Sequence, residues 1–222
     1  MKLSKIKHTL YGNLGIVKMR RRHGLFTAEG LKSVADLSRH FEGVALIHTN
    51  AEELPAGLTD CFVDVYEVTE AEMRSLSNLT TPSPVMGVFR MPSEEQTGVG
   101  AAAIDPEKLY VVLDGVRDPG NLGTIIRTCH WFGVKDILAS YDTVDCFNPK
   151  TIQATMGSLG AVRVSYCDVR ELITSHRDME VYGTLLKGDN IFETSLAPRG
   201  FLIMGNEGTG ISRSERAHHA AV

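Results

Sequence analysis

The sequence lacks any uninterrupted apolar run long enough to span a bilayer, so it predicts no membrane segment. Charged residues also break every apolar stretch near the amino terminus, and no signal peptide is predicted. We therefore expect a cytoplasmic protein. The cysteines form no Cys-x-x-Cys pair and no zinc-type spacing with histidine; they are Cys61, Cys129, Cys146 and Cys167. We interpret them as small buried side chains in a reducing compartment, and we expect no metal site.

Acidic residues are also missing from the start of the chain, where Glu29 is the first, although the 222 residues together carry a net charge of −4. The basic residues that precede it are Lys2, Lys5, Lys7, Lys18, Arg20, Arg21 and Arg22. Lysine and arginine make most contacts with phosphate groups, so this distribution indicates a local RNA contact. The candidate RNA-binding residues are Lys18, Arg20, Arg21 and Arg22. A disordered, solvated basic tail explains the segment alone equally well.

Strand and helix patterns alternate in two blocks. In the first, strands are predicted at 25–28, 44–47, 61–65 and 85–89, and helices at 31–41 and 69–79. In the second, strands are predicted at 109–113, 134–139, 162–166, 181–185 and 201–204, and helices at 121–132, 149–159 and 168–177. Residues 92–105 are small and polar, which is typical of a linker. We therefore predict two α/β domains, 1–91 and 106–222, the second with a largely parallel sheet.

An unusual loop follows the first predicted strand of the second block. Its Pro119-Gly120 pair predicts a tight turn that places Asn121 at a helix N-cap, where free backbone donors can receive an anion. The helix carries an apolar stripe of Leu122, Ile125, Ile126, Cys129 and Phe132. Arg127 lies nearly opposite this stripe, and Gly123, one turn earlier, leaves room for a polymer backbone. Arg127 therefore suits a phosphate or a developing oxyanion, with a solvated surface arginine as the alternative.

A second unusual loop, with the sequence Gly205-Asn206-Glu207-Gly208-Thr209-Gly210, follows the last predicted strand. It is not a Walker loop because no Gly-Lys-Ser/Thr follows, and it lacks the G-x-G-x-x-G spacing of a dinucleotide site. Three glycines around a carboxylate indicate close approach of the backbone to another group. A bare turn is the alternative.

Together the two loops resemble motifs of the SpoU/TrmH family of the SPOUT methyltransferases. The matching residues are Asp114, 118–121, Gly123, 127–128 and 132–133 in the first motif, and 205–208 and 210–212 in the second. Segments 148–150, 155–158 and 183–185 resemble the family's intervening sequence, so the resemblance covers Lys108 to Ser212.

The resemblance implies methylation of a ribose 2′-hydroxyl in structured RNA with S-adenosylmethionine as cofactor. Ribosomal RNA is favoured as the substrate, and transfer RNA is the alternative. The resemblance also implies a SPOUT-type parallel-sheet catalytic domain, with a carboxyl-terminal trefoil knot if complete, preceded by a small α/β RNA-binding domain. Two catalytic domains would pair in a homodimer.

Roles for individual residues also follow from the resemblance. The cofactor pocket would be lined, mainly through backbone groups, by Thr184, Leu185, Gly205, Asn206 and Gly208. The reactive side would be formed by Asn121, Arg127 and Glu207. Because an arginine with a pKa above about 12 is a poor proton acceptor, Arg127 would stabilise the developing alkoxide and hold the adjacent phosphate. Glu207 would hold either Arg127 or a loop amide.

The family's third motif, a Ser-Leu-Asn segment after an Ile-Pro strand, does not occur before Val222. We expect sequence beyond Val222, because Ala221-Val222 looks like the start of a strand; the alternative is a protein that cannot bind the cofactor normally. Two other functions stay open. One is an RNA-binding module without catalysis, and the other is a different nucleotide-dependent enzyme, which the missing Walker and dinucleotide motifs disfavour.

Overall fold

The computed structural model describes residues 1–93, 104–185, 187–212 and 220–221. The chain forms two compact units, one of residues 1–92 with 145–161 and the other of residues 93–144 with 162–222. The sequence-based division assigned 145–161 to the second domain, whereas in the structure this segment packs within the first unit. Most of the predicted linker, residues 94–103, lies outside the described residues. No helix within the described ranges is long and apolar enough to cross a membrane.

The first unit is built on a mixed four-stranded sheet with the order β1-β4-β2-β3. Its strands are β1 (Leu25–Glu29), β2 (Gly43–His48), β3 (Phe62–Glu67) and β4 (Val85–Arg90), and its first helices are α1 (Lys5–Gly12), α2 (Val17–His23), α3 (Leu31–Leu37) and α4 (Glu70–Leu76). The β2–β3 pair is parallel and the others are antiparallel, and the alternation of strands and helices confirms the prediction of a small α/β unit. The predicted Thr69–Glu72 capping box begins α4.

The basic amino-terminal segment is helical and ordered, not a tail, and it contains one buried arginine. Lys18, Arg21 and Arg22 are exposed on α2, but Arg20 is only 1% exposed. The Arg20 guanidinium donates hydrogen bonds to the backbone oxygens of Leu14 (2.9 Å) and Gly15 (2.8 Å) and forms an ion pair with Asp145. The prediction that Arg20 contacts RNA is therefore wrong, because its donors are already bound inside the unit.

Residues 145–161 contribute helix α6 (Pro149–Thr155), which packs against β1. The preceding helix, α5 (Pro119–Trp131), belongs to the second unit. The Phe147 ring lies 4.8 Å from the Phe26 ring, measured between centroids. Asn148 caps the helix by accepting a hydrogen bond from the Lys150 amide. The helix ends earlier than predicted because Met156 adopts a left-handed φ of 52° that helical geometry excludes.

The second unit is built on a six-stranded sheet with the order β10-β8-β9-β5-β6-β7, in which every pairing is parallel. Its strands are β5 (Leu109–Asp114), β6 (Asp136–Ser140), β7 (Arg163–Cys167), β8 (Val181–Gly183), β9 (Gly200–Gly205) and β10 (Ala220–Ala221); its helices are α5 (Pro119–Trp131) and α7 (Val169–Ser175). The prediction of a largely parallel sheet is confirmed. All the carboxyl ends lie at one edge of the sheet, called the carboxyl edge below.

Two predictions of burial are wrong. Phe132, assigned to the apolar stripe of α5, is 76% exposed, because the helix ends at Trp131 and the stripe ends with it. Cys61 is exposed, whereas the other three cysteines are buried, and all four are free thiols. Burial raises the pKa of the Cys129 thiol and of the Cys167 thiol to about 11, so neither is a thiolate near neutral pH.

Candidate functional site

The two motif loops meet at the carboxyl edge of the second unit. Asp114 ends β5 directly beside Gly205, which ends β9. Thr184 and Leu185 follow β8, the neighbour of β9 on its other side. Ligands of open parallel sheets bind outside the carboxyl ends of the strands, so this edge is the candidate site.

Glu207 connects the second loop to the first. One carboxylate oxygen accepts hydrogen bonds from the Asp118 amide (3.2 Å) and the Asn121 side chain (3.1 Å), and the other accepts from the Arg117 amide (3.3 Å). Partial burial favours the protonated acid, but the hydrogen bonds from Asn121 and from backbone amides outweigh it and lower the pKa of Glu207. Glu207 is therefore a carboxylate that holds the loop amides, the second of the two roles predicted for it.

The sequence predicted Asn121 as the N-cap of α5, and this is wrong, because the N-cap is Asp118. A side-chain oxygen of Asp118 accepts a hydrogen bond from the Asn121 amide at 2.8 Å. Asn121 thus lies in the first turn, where its side chain is free to donate to Glu207. The anion predicted at this helix end is the chain's own Asp118 carboxylate.

Asn206 shapes the second loop and ties it to the first. Its side-chain nitrogen donates to the Gly115 carbonyl at 2.7 Å, and its side-chain oxygen accepts from the amides of Gly208 (2.9 Å) and Thr209 (3.0 Å). Its backbone exchanges two hydrogen bonds with Gly210. Asn206 therefore has a structural role in the loop, beside the cofactor contact that the sequence predicts for it.

Gly205 marks a close approach between the two limbs of the same loop. A Cβ placed on Gly205 would lie 2.2 Å from backbone atoms of both Gly210 and Ile211. Gly208 has no such neighbour, since the nearest atom to its added Cβ is 3.6 Å away. The close backbone approach predicted from the glycines is thus present, but at Gly205 the group approached is the chain itself.

A network that the sequence reasoning missed surrounds the end of β6. The Ser140 hydroxyl accepts from the Gly115 amide (2.9 Å) and donates to Asp142 (2.7 Å), and Asp142 forms an ion pair with Arg117 at 3.3 Å. The hydrogen bond from Ser140, helped by Arg117 and opposed by partial burial, lowers the pKa of Asp142. Their position in the sequence could have indicated this network, since Ser140 and Asp142 lie at the end of a buried strand at this edge.

The remaining predicted residues have few partners. Arg127 is exposed on α5, and no hydrogen bond or ion pair joins it to another residue of the described ranges. The Thr184 hydroxyl donates to the Ile203 carbonyl at 3.1 Å, and Leu185 packs against the apolar core of the unit. No cluster of histidine, cysteine or acidic residues suited to a metal ion occurs in the part of the chain that the structure describes.

Comparison with known proteins gives matches to both units. The family model described as the SpoU rRNA Methylase family matches residues 108–222, and the MRM3-like substrate binding domain matches residues 11–87. The 23S rRNA (guanosine(2553)-2′-O)-methyltransferase RlmP of Bacillus subtilis is 30% identical over 156 residues, which cover 67% of this chain and 58% of RlmP. The chain thus spans somewhat more than half the length of this relative.

Two solved structures resemble the chain over its whole length. A TrmH-family protein from Porphyromonas gingivalis matches with a TM-score of 0.83 and 30% identity, covering 100% of this chain and 89% of that one. The AdoMet-bound rRNA methyltransferase from Sinorhizobium meliloti matches with a TM-score of 0.82 and 29% identity, covering 100% and 86%. The family match takes in both motif loops and more than half of the residues, and the chain therefore belongs to the SpoU rRNA methylase family.

Proposed function

We propose that this protein transfers a methyl group from S-adenosylmethionine to a ribose 2′-hydroxyl of ribosomal RNA. The observation that carries the proposal is the Glu207 carboxylate, which joins the two SpoU motif loops at the carboxyl edge. The similarity to RlmP supports ribosomal RNA as the substrate class. A ribosomal substrate also agrees with the cytoplasmic location expected from the sequence, which stays a prediction.

The residues at the edge fit the cofactor. Its sulfonium group is cationic, and Asp114 and Glu207 place carboxylates there. Thr184 and Leu185 add uncharged side chains and backbone groups beside the loop that Gly205 begins. The relative from Sinorhizobium meliloti binds AdoMet on the same fold. When bound, the cofactor supplies the electrophilic methyl group.

The chain's own residues would orient the ribose and stabilise charge. Asn121 donates its amide to Glu207, and its side-chain oxygen has no partner among the described contacts, so this oxygen can accept from the 2′-hydroxyl. The exposed Arg127 guanidinium would stabilise the developing alkoxide and hold the adjacent phosphate. Positioning of the two reactants would supply much of the rate, as in other displacements between bound groups.

Labelled S-adenosylmethionine and unmodified RNA test the proposal. We expect the full chain to transfer the label to ribose in 23S ribosomal RNA transcribed in vitro, as read by mass spectrometry of the nucleosides. Label in transfer RNA alone would replace the substrate with the alternative. RNA binding without transfer to either RNA would identify a non-catalytic RNA-binding module and contradict the proposal.

Substitution of Gly205 tests whether the second loop holds the cofactor. In Gly205→Val the new side chain collides with backbone atoms of Gly210 and Ile211, so we expect cofactor affinity in calorimetry to fall well over tenfold while the domain stays folded. Gly12→Val is the matched control, because Gly12, like Gly205, has no positive φ, and the nearest atom to its added Cβ is 3.6 Å away. Equal cofactor affinity in both variants would place the pocket elsewhere.

The first unit would bind the RNA. Its match to the MRM3-like substrate binding domain supports this role, together with the exposed basic residues of α2. Changing Lys18, Arg21 and Arg22 to glutamine should lower RNA affinity and flatten its salt dependence by about 0.7–0.9 per lost phosphate contact. Filter binding at several salt concentrations measures both. An unchanged slope would show that these side chains are only solvated.

The second unit would pair with a second copy of the chain. Two neighbouring aromatic side chains support this, since Trp131 is 86% and Phe132 is 76% exposed at the end of α5. Sedimentation equilibrium of the full chain tests the expected dimer mass. The trefoil knot implied by the family resemblance stays a prediction, because residues 213–219 lie outside the described residues.

A further inference from the structure

Arg117 is a cation whose position at the carboxyl edge is set by two acidic residues. Its backbone amide is bound by Glu207 (3.3 Å) and its guanidinium by Asp142 (3.3 Å), which is in turn bound by Ser140. The Arg117 side chain is nevertheless 71% exposed, and that of Asp142 is 57% exposed. Most of the guanidinium's hydrogen-bond donors therefore face solvent, in a position that the loop restrains.

Arg117 is the one basic side chain in a set of loops that is otherwise acidic. Residues 114–118, 140–144 and 205–212 contain four carboxylates and one basic side chain, that of Arg117. The carboxylates are Asp114, Asp118, Asp142 and Glu207. They repel an RNA backbone that approaches along these loops, so within these three segments Arg117 is the side chain that can stabilise a phosphate group.

An exposed aromatic residue is the chain neighbour of this ion pair's acidic member. Tyr141 precedes Asp142 in the chain and is 75% exposed, and no ring contact or hydrogen bond joins it to another described residue. An exposed ring one residue from the carboxylate that pairs with Arg117 supplies an aromatic plane for the base of a nucleotide, and the guanidinium supplies a cation for its phosphate.

We propose that Arg117 and Tyr141 form a binding site for one unpaired nucleotide of the substrate RNA, with the phosphate on Arg117 and the base stacked on Tyr141. The inference rests on the proposed function, because it assumes that RNA reaches the carboxyl edge. The phosphate binds the Arg117 guanidinium either together with Asp142 or in its place. The site would select an unpaired nucleotide with little preference for the identity of its base, since every base offers a face for stacking.

Filter binding of the full chain to unmodified 23S ribosomal RNA, from about 50 to 200 mM salt, tests the site. Arg117→Gln should weaken binding and reduce the salt slope by about 0.7, the loss expected for one phosphate contact of a single strand. Tyr141→Ala should weaken binding about five- to 150-fold without changing the slope, and Tyr141→Phe should keep the wild-type affinity. All these side chains are exposed, so the variants should fold normally.

Arg199→Gln is the matched control. Arg199 is 51% exposed and ion-paired with Glu107, but it precedes β9 and so lies at the opposite edge of the same sheet. We expect the RNA affinity and the salt slope of Arg199→Gln to equal those of the wild type. If Arg117→Gln behaves like Arg199→Gln, or if Tyr141→Ala binds like Tyr141→Phe, the site is overturned.

Methyl transfer by the unsubstituted chain separates this inference from the proposed function. If the wild type transfers the methyl group normally and the Arg117 and Tyr141 variants bind RNA like the wild type, the nucleotide site is refuted and the methyltransferase function is left intact. Failure of the wild type to bind RNA refutes both.

Discussion

Replacing Arg20 with leucine is expected to lower the free energy of unfolding of the first unit by about 3–5 kcal/mol, the usual cost of removing one partner of a buried ion pair. The substitution leaves Asp145 without its guanidinium, and it leaves the Leu14 and Gly15 carbonyls without two of their donors. Hydrogen exchange of the amides in 1–92 and 145–161, combined with urea unfolding, would measure the loss.

Arg21→Leu provides the matched control, because Arg21 follows in the same helix but is exposed. A change within about ±0.5 kcal/mol is expected there, as for ordinary surface positions. The double variant Arg20→Leu/Asp145→Leu should recover most of the loss, because two apolar side chains leave no charge unpaired. If Arg20→Leu is as stable as Arg21→Leu, the buried ion pair contributes little to the stability of the first unit.

The case of Arg20 shows where a sequence pattern stops being informative. Three consecutive arginines give no sign of which one faces the interior, and the acidic partner of Arg20 is 125 residues further along the chain. Composition indicated a basic segment at this end of the chain but predicted no helix there; Lys18 and Arg21 are exposed on α2, as is usual for such residues. Burial of one guanidinium depends on a tertiary contact that no local pattern encodes.

The sequence predicted the residues of the candidate site better than it predicted the hydrogen bonds between them. Alternating strand and helix patterns placed both motif loops after buried strands, and a parallel sheet brings such ends together. The N-cap was misplaced by three residues because Asn121 and Asp118 are both good caps, and only the Glu207 contact shows why Asn121 lies inside the helix. The network of Ser140, Asp142 and Arg117 has no sequence motif at all.

The second large effect is expected from Arg127→Ala, which should reduce methyl transfer by about 10²–10³-fold while cofactor affinity stays within a few-fold. The loss is catalytic, because the guanidinium is proposed to stabilise charge that develops only in the transition state. Its removal leaves no buried group unpaired, since Arg127 is exposed and has no partner within the described ranges. Stability should therefore change by less than about 0.5 kcal/mol.

Initial rates with labelled cofactor and 23S ribosomal RNA, together with cofactor calorimetry, measure the two quantities separately. Arg127→Lys should retain part of the rate, because it keeps the charge but loses the planar fork that binds a phosphate through two hydrogen bonds. Arg199→Ala, a change to an exposed arginine at the opposite edge of the sheet, should leave the rate unchanged. Near-normal turnover in Arg127→Ala would remove Arg127 from the reaction and leave Arg117 as the basic residue of the motif loops that could contact the RNA.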